Sequence, residues 1–211
     1  MVFRYFDGRP PSLEPILQRN DSYRCSLWRE ADMAKIFDAP AQLSMTERIT
    51  LFSLTLGRRP TRAIEIGSFR GGSAQIIVHA MDLNGFGELV MIDPNPQFPP
   101  GLWDGLSHRA TLVSEASPTA LAAVQGVFDF AFIDATHTRE CVRADLTVVV
   151  ERLVPDGIVL LHDVLHSEVR AGINDVLQLG GLVDCGCLCT NASFDVTGMS
   201  WAGLGMLRKS A

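Results

Sequence analysis

A chain of 211 residues is long enough for one domain with a sizeable core, and it needs no disulfide or metal staple to fold. Hydrophobic residues make up 47% and charged residues 20%, which excludes wholesale disorder. The net charge of −6 works against binding a phosphate backbone, so no nucleic-acid partner is expected.

No apolar run reaches the roughly 18 residues that a membrane-spanning helix needs, so no membrane partner is expected. Even Ile158–Leu161 stops at His162-Asp163. Met1-Val2-Phe3-Arg4 leads into Asp7-Gly8-Arg9-Pro10-Pro11 rather than into the apolar core of a secretory leader. The five cysteines include no CxxC pair, which disfavours zinc. Cys185, Cys187 and Cys189 alternate as side chains on one strand face do, so a buried thiol face is expected. Together these features predict a reducing cytoplasm.

Residues 1–43 combine prolines, mixed charge and scattered aromatics with weak helical periodicity. They read as a helical appendage that packs on the main domain, covers a site, or makes a subunit contact in a homodimer. Residues 44–211 read as the main domain. Ser44-Met45-Thr46-Glu47 is a capping box that opens a helix, and Arg58-Arg59-Pro60 ends it. From there short apolar runs alternate with helical patterns. Strands are predicted at Ala63–Ile66, Glu88–Ile92, Ala110–Val113, Phe128–Ile133 and Ile158–Leu161. Helices are predicted at about Gly72–Leu83, Ser117–Val124, Thr138–Leu153 and Ser167–Leu179. Pro94 to Leu106 reads as a Pro/Gly-rich loop, and Pro155-Asp156-Gly157 as a turn. Two last strands, near Leu182–Leu188 and Trp201–Leu207, have no helix between them and should pair antiparallel. The order predicts an α/β fold, a doubly wound and mostly parallel sheet.

In such a sheet, ligands bind beyond the carboxyl ends of the strands. Glu65-Ile66-Gly67-Ser68-Phe69-Arg70-Gly71-Gly72-Ser73 is a strand, a Gly-rich turn and a helix start. Phe69 stands where a dinucleotide fingerprint needs its second glycine, which disfavours NAD and FAD. No Lys follows Gly71 or Gly72, which disfavours a P-loop. A nucleoside without a pyrophosphate suits the turn better, and Asp93 at the next strand end can accept from both ribose hydroxyls. The alternative is a tight turn beside an ordinary terminal Asp.

The Glu65–Ser73 loop, Val90-Met91-Ile92-Asp93, Phe128 through Asp134-Ala135-Thr136-His137, and Leu153-Val154-Pro155-Asp156-Gly157 through Leu161-His162-Asp163-Val164 together resemble the class I S-adenosylmethionine-dependent methyltransferases. The resemblance spans roughly residues 44–207. It implies a seven-stranded, Rossmann-like sheet of order 3-2-1-4-5-7-6 with the last strand antiparallel. It implies S-adenosyl-L-methionine bound by Glu65, Gly67, Ser68, Gly71, Ser73, Asp93, Ser117 and Asp134. Glu65 and Gly67 would lie by its amino-acid portion, Ser73 by its carboxylate, Asp93 by the ribose and Ser117 by the adenine edge.

The second half is similar to the metal-dependent O-methyltransferases, especially those acting on sugar hydroxyls of macrolides and related glycosides. There an Asp-x-x-His stretch supplies a metal ligand and a general base, here Asp134 and His137. The resemblance implies Mg²⁺ or Mn²⁺ at Asp134 and Asp163, and a small hydroxylated acceptor such as a sugar. His162 stands where these enzymes usually place an acid, and it is the third candidate ligand. Imidazole suits Mn²⁺ better than Mg²⁺. A helix N-terminus and a nearby cation should both keep His137 neutral and able to take a proton near pH 7. The alternatives are a rim pair at His162-Asp163 bonded to loop amides and a capping residue at His137. A metal-independent methyltransferase and a non-catalytic nucleoside binder of the same fold remain the competing functions. Acceptor specificity is expected in residues 1–43 and the 190–200 loop.

Overall fold

Nearly every short apolar run becomes a strand buried on both faces, and this is what forces a layered α/β fold. A computed structural model describes residues 30–190, 193–194, 200–201 and 203–211. The first 29 positions and most of the loop expected to carry specificity lie outside the described residues.

The elements in chain order are α1 (Glu30–Phe37), α2 (Met45–Arg58), β1 (Arg62–Ile66), α3 (Gly72–Asn84), β2 (Glu88–Ile92), α4 (Leu102–Leu106), β3 (Ala110–Val113), α5 (Thr119–Ala123), β4 (Phe128–Ile133), α6 (Arg139–Arg152), β5 (Leu153–Leu161), α7 (Ser167–Leu177), β6 (Leu182–Cys189) and β7 (Leu204–Lys209). A small hairpin pairs Ser193–Phe194 with Ser200–Trp201. The seven-stranded sheet runs β3-β2-β1-β4-β5-β7-β6, with β7 antiparallel to both neighbours and the first five strands parallel. This is the predicted Rossmann-like methyltransferase topology.

Successive strand residues alternate between two cores, as the pleat requires. Leu89, Met91, Phe130 and Phe132 pack with Ile36, Leu51, Phe52, Ile76, Ile77 and Met81, under α1 to α3. Val90, Ile92, Ala131 and Ile133 pack with Leu121, Val142, Leu146, Val149, Val169 and Ile173, under α5 to α7. Phe132 is fully buried, so truncating it to Ala costs about 3–5 kcal/mol.

Four local expectations change. Pro155-Asp156-Gly157 is not a turn between helix and strand. β5 starts directly after α6, and its ladder with β4 shifts register between Phe128 and Phe130, with Asp156 at φ 60°. The three residues are thus absorbed in an irregularity of an extended strand. The Pro94–Leu106 segment contains a short helix that packs Leu102 and Leu106 against the core. The last strand starts at Leu204, later than the sequence pattern indicated. Finally, the thiol face does not form. Cys185 is exposed and only Cys189 is buried, because β6 is an edge strand whose register shifts on both sides of Cys187. No helix among the described residues is long and apolar enough to cross a membrane.

Candidate active site

The parallel register lines up the strand ends. Gly67 N donates to Ile92 O, Asp134 N to Ile66 O and His162 N to Ile133 O, at 2.9, 2.9 and 3.0 Å. These bonds continue the ladders one residue past β1, β4 and β5. They set Asp93, Gly67, Asp134 and His162 side by side along one rim, about 4.8 Å apart from strand to strand.

On the β1–β2 side the rim is built from backbone. Asp93 is buried, and its Oδ2 accepts from Ser68 N at 2.9 Å and Phe69 N at 2.6 Å, while Oδ1 accepts from Asn95 N at 2.8 Å. A carboxylate has about four acceptor sites, so Asp93 keeps capacity for a ligand hydroxyl. A Cβ on Gly67 would lie 2.0 Å from the Asp134 carbonyl oxygen, so this crossing requires glycine. One on Gly72 would lie 2.2 Å from Ala41 N. The Pro40–Gln42 segment therefore sits directly on the Gly-rich loop. Arg48 holds it there by donating to the carbonyls of Phe37, Ala39, Ala41 and Leu43 at 2.8, 2.7, 2.6 and 2.9 Å.

These walls enclose an open cavity of about 440 Å³, lined by Gly67, Ser68, Ser73, Asp93, Ser117, Asp134, His137 and the Pro40–Gln42 segment among others. The volume lies in the range of small-molecule sites. Of the predicted cofactor residues, Glu65 and Gly71 are not on its wall. Gly71 supplies the left-handed N-cap of α3, at φ 76°. Glu65 is fully buried, with Oε2 accepting from Ser68 Oγ at 2.8 Å and Oε1 without a partner. Burial pushes its carboxyl up to about 7, against the Ser73 and Ser68 hydroxyls. Ser117 lines the cavity, but its hydroxyl donates to Asp145 Oδ1 at 2.5 Å. Asp145, on α6, thus bonds a neighbouring loop, and its own burial raises its carboxyl.

On the β4–β5 side the rim is built from ionisable side chains. His162 Nδ1 lies 3.3 Å from both Asp134 Oδ1 and Asp163 Oδ2. His137 Nε2 lies 2.8 Å from Asp163 Oδ2 and 3.6 Å from Asp134 Oδ1. One possible ligand atom each from Asp134, His162 and Asp163 falls within 4.8 Å of the other two, so one cation can reach all three. Asp163 is buried, its Oδ1 has no partner, and its backbone holds φ 55°. That left-handed conformation opens a turn, in which His166 N donates to the Asp163 carbonyl at 2.8 Å.

The charges are strongly coupled. Burial lowers the basicity of His162, but Asp134, Asp163 and Glu47 outweigh it and push the ring up to about 12. Asp134 and Asp163 push His137 up to about 9, against burial. Burial raises Asp134, Asp163 and Glu47, yet the imidazoles hold all three below the usual carboxylate range. The neutral His137 expected at a helix start is therefore corrected for the metal-free chain. The ring sits ahead of the N-cap Thr138, and two carboxylates override the helix terminus.

Glu47 is the residue that the sequence pattern undervalued. It closes the predicted capping box, with Ser44 N donating to its Oε2 at 2.8 Å and its own N–H donating to Ser44 Oγ at 3.4 Å. It also faces His162 Nε2 at 3.4 Å and accepts from Gly203 N at 3.0 Å through Oε1. The capping signal explained Glu47 completely, so no local cue pointed to the second task.

Residues 64–164 match a family model described as a methyltransferase domain. The match covers just under half of the chain, and the fold is the Rossmann-like fold that O-methyltransferases of known structure share. One solved structure with this fold is the O-methyltransferase TomG from Streptomyces achromogenes, involved in tomaymycin synthesis and solved with S-adenosylmethionine. It is 20% identical, with 92% of this chain and 96% of that one covered, at TM-score 0.61. The O-methyltransferase from Bacillus cereus, in complex with S-adenosylhomocysteine, is 14% identical over 93% and 97% of the two chains, at TM-score 0.63. The N-methyltransferase NodS from Bradyrhizobium japonicum is 15% identical over 77% and 94%, at TM-score 0.55. One fold thus serves both oxygen and nitrogen acceptors, and the acceptor has to be argued from the methyltransferase rim. No curated protein matches this sequence.

Proposed function

We propose that this chain is an S-adenosylmethionine-dependent O-methyltransferase. Its acceptor is a hydroxyl of a sugar or glycosylated small molecule, and a divalent cation, Mg²⁺ or Mn²⁺, assists at Asp134, His162 and Asp163. The observation that carries the reading is the convergence of Asp134, His137, His162 and Asp163, with Asp134 and His137 on the cavity wall and the other two directly behind them. A protein that only binds a nucleoside has no use for it.

The cofactor fits the residues present. Asp93 has spare acceptor capacity for the ribose hydroxyls, and Gly67, Ser68 and Ser73 offer a polar wall for its amino-acid portion. Ser117 and the buried Asp145 line the same cavity and border the adenine edge. S-adenosylmethionine supplies an electrophilic methyl group on a sulfonium. The metal fits as well, because the buried Asp163 Oδ1 is an acceptor with no donor and two more ligand atoms lie within reach. When bound, a divalent cation supplies Lewis acidity and orients the acceptor oxygen.

The chain's own residues do the rest. His137, on the cavity wall, takes the acceptor proton as the oxygen bonds to the methyl carbon and the carbon–sulfur bond breaks, leaving a neutral thioether. To do so the ring has to be released from the charge of Asp134 and Asp163, which would be the residues holding the cation and would then no longer raise its basicity. The Pro40–Gln42 segment covers the cofactor side of the cavity. The free Cys141, Cys185, Cys187 and Cys189 suit a reducing cytoplasm.

Transfer of labelled methyl to a panel of glycosides, with and without EDTA, tests this reading. Labelled ether should form, vanish with EDTA, and return with Mg²⁺ or Mn²⁺. A second reading has its own support: the His162 imidazolium already lies among Glu47, Asp134 and Asp163 and offsets their charge without a metal. Full activity in EDTA selects that reading. Absence of transfer to any acceptor, with S-adenosylhomocysteine still bound, selects a non-catalytic binder.

A further inference from the structure

The His162 ring is flanked on both nitrogens. Nδ1 faces Asp134 and Asp163 at 3.3 Å each, and Nε2 faces Glu47 Oε2 at 3.4 Å. Both side chains are buried, so water is a poor substitute for either partner. Glu47 itself is clamped by two backbone donors from distant parts of the chain, Ser44 N at the start of α2 and Gly203 N just before β7. A clamped carboxylate at ion-pair distance from one imidazole nitrogen favours the proton on that nitrogen and leaves the other as a ligand. This is the arrangement of carboxylate, histidine and cation that tunes many metal sites. An imidazole presented in this way costs Mn²⁺, a transition-metal ion, less than it costs Mg²⁺, which dehydrates reluctantly and takes oxygen ligands.

We propose that Glu47 is a positioning residue that aims His162 Nδ1 at the space between Asp134 and Asp163, and that the site thereby prefers Mn²⁺ to Mg²⁺. The proposal rests on the metal-assisted reading above, and it assigns Glu47 a task beyond the helix cap. It also separates the two jobs of one side chain. Ser44 serves only the cap, so a variant there should leave the metal preference alone.

The test is calorimetric titration of the full chain with MnCl₂ and with MgCl₂, without cofactor or acceptor. The wild type should bind Mn²⁺ about tenfold or more tightly than Mg²⁺. Glu47→Ala should weaken Mn²⁺ by about 10–100-fold, the usual cost of losing such a partner, while Mg²⁺ changes little. Glu47→Gln keeps the shape and a capping-box side chain, so it reports even where Glu47→Ala fails to fold. It should shift the ratio in the same direction. Ser44→Ala should lower the melting temperature and leave the ratio unchanged. His162→Asp should reverse the preference toward Mg²⁺. Spin-echo spectra of bound Mn²⁺ should show nitrogen coupling in the wild type and lose it in His162→Asp. An unchanged ratio in folded Glu47→Gln overturns the proposal, as does a wild type that binds both ions equally. Failure of the wild type to bind either ion overturns the metal reading of the site, and this proposal with it, whereas binding with no preference leaves that reading standing.

Discussion

The two halves of the rim are made of different materials. Between β1 and β2, a loop is held by backbone N–H groups on Asp93 and by glycines at steric contact with neighbouring strands. Between β4 and β5, two imidazoles share three carboxylates that come from α2, β4 and the end of β5. The first half sets shape and loses little if a charge changes. The second is a charge balance in which each member fixes the state of the others. A domain built this way can keep its cofactor cavity while its chemistry is altered, and variants should expose that separation.

The largest expected effect is on the β4–β5 side. Asp163→Asn keeps the shape and removes one charge. Turnover should fall a thousandfold or more, because the several kcal/mol a bound cation gives to the transition state is lost. Cofactor affinity should stay within about threefold, since Asp163 is not on the cavity wall. Isothermal titration with S-adenosylhomocysteine beside a methyl-transfer assay measures both. Loss of cofactor binding in this variant would merge the two halves and break the comparison. His137→Ala comes next, with kcat lower by about 10²–10⁴, the usual contribution of a general base. The wild-type rate should rise with pH through the His137 pKa and level off, and the variant should lose that inflection. A variant within threefold of wild type, with the same pH profile, would make His137 structural.

Asp93→Ala should do the reverse. Removing an acceptor of charge-assisted bonds costs about 1.5–3 kcal/mol, so S-adenosylhomocysteine binding should weaken about 10–100-fold. At saturating cofactor, kcat should remain near wild type. A large loss of kcat at saturation would show that the Ser68–Phe69 loop, released from Asp93, also places the reacting methyl.

The same division decides what could be read from the sequence. The sheet was legible because its signal is local: alternating apolar runs, a capping box at Ser44, a Gly-rich turn at Gly67. The antiparallel pairing of β6 with β7 followed from the missing helix between them, whereas the strand order came only from the family resemblance. Asp134, His137, His162 and Asp163 were legible because they terminate strands or follow them at once. The rest depends on distant contacts. Glu47 meets Gly203 across 156 positions, and no periodicity encodes that. Asp145 meets Ser117 across 28 positions, so the adenine-side hydroxyl looked free in the sequence. The approach of Asp163 to His137 from another strand end was not legible for the same reason.

The smallest effect expected is on stability, and it follows from signs alone. His137 has a folded-state value of about 9, raised from an ordinary 6.5, so its ion pairs stabilise the metal-free fold fully below about 6.5. That contribution is lost as the pH rises through about 9. Glu65 also has a raised value, about 7 in the fold against 4.5, so the protonated form is preferred and stability falls from about pH 4.5 to 7. Asp134, Asp163 and Glu47 have lowered values, so their contribution is present above the ordinary carboxylate range and lost on acidification. Urea unfolding of the metal-free chain should therefore show stability declining from near pH 5 through pH 9 and beyond, because His162, raised to about 12, adds to the decline above about 6.5. Glu65→Gln should flatten the lower part of that decline, and His137→Gln should make the part between about 6.5 and 9 shallower. The two contributions should add, because one group belongs to the shape-setting half and the other to the charge balance. Strong non-additivity in the double variant would show that the two halves of the rim are energetically one.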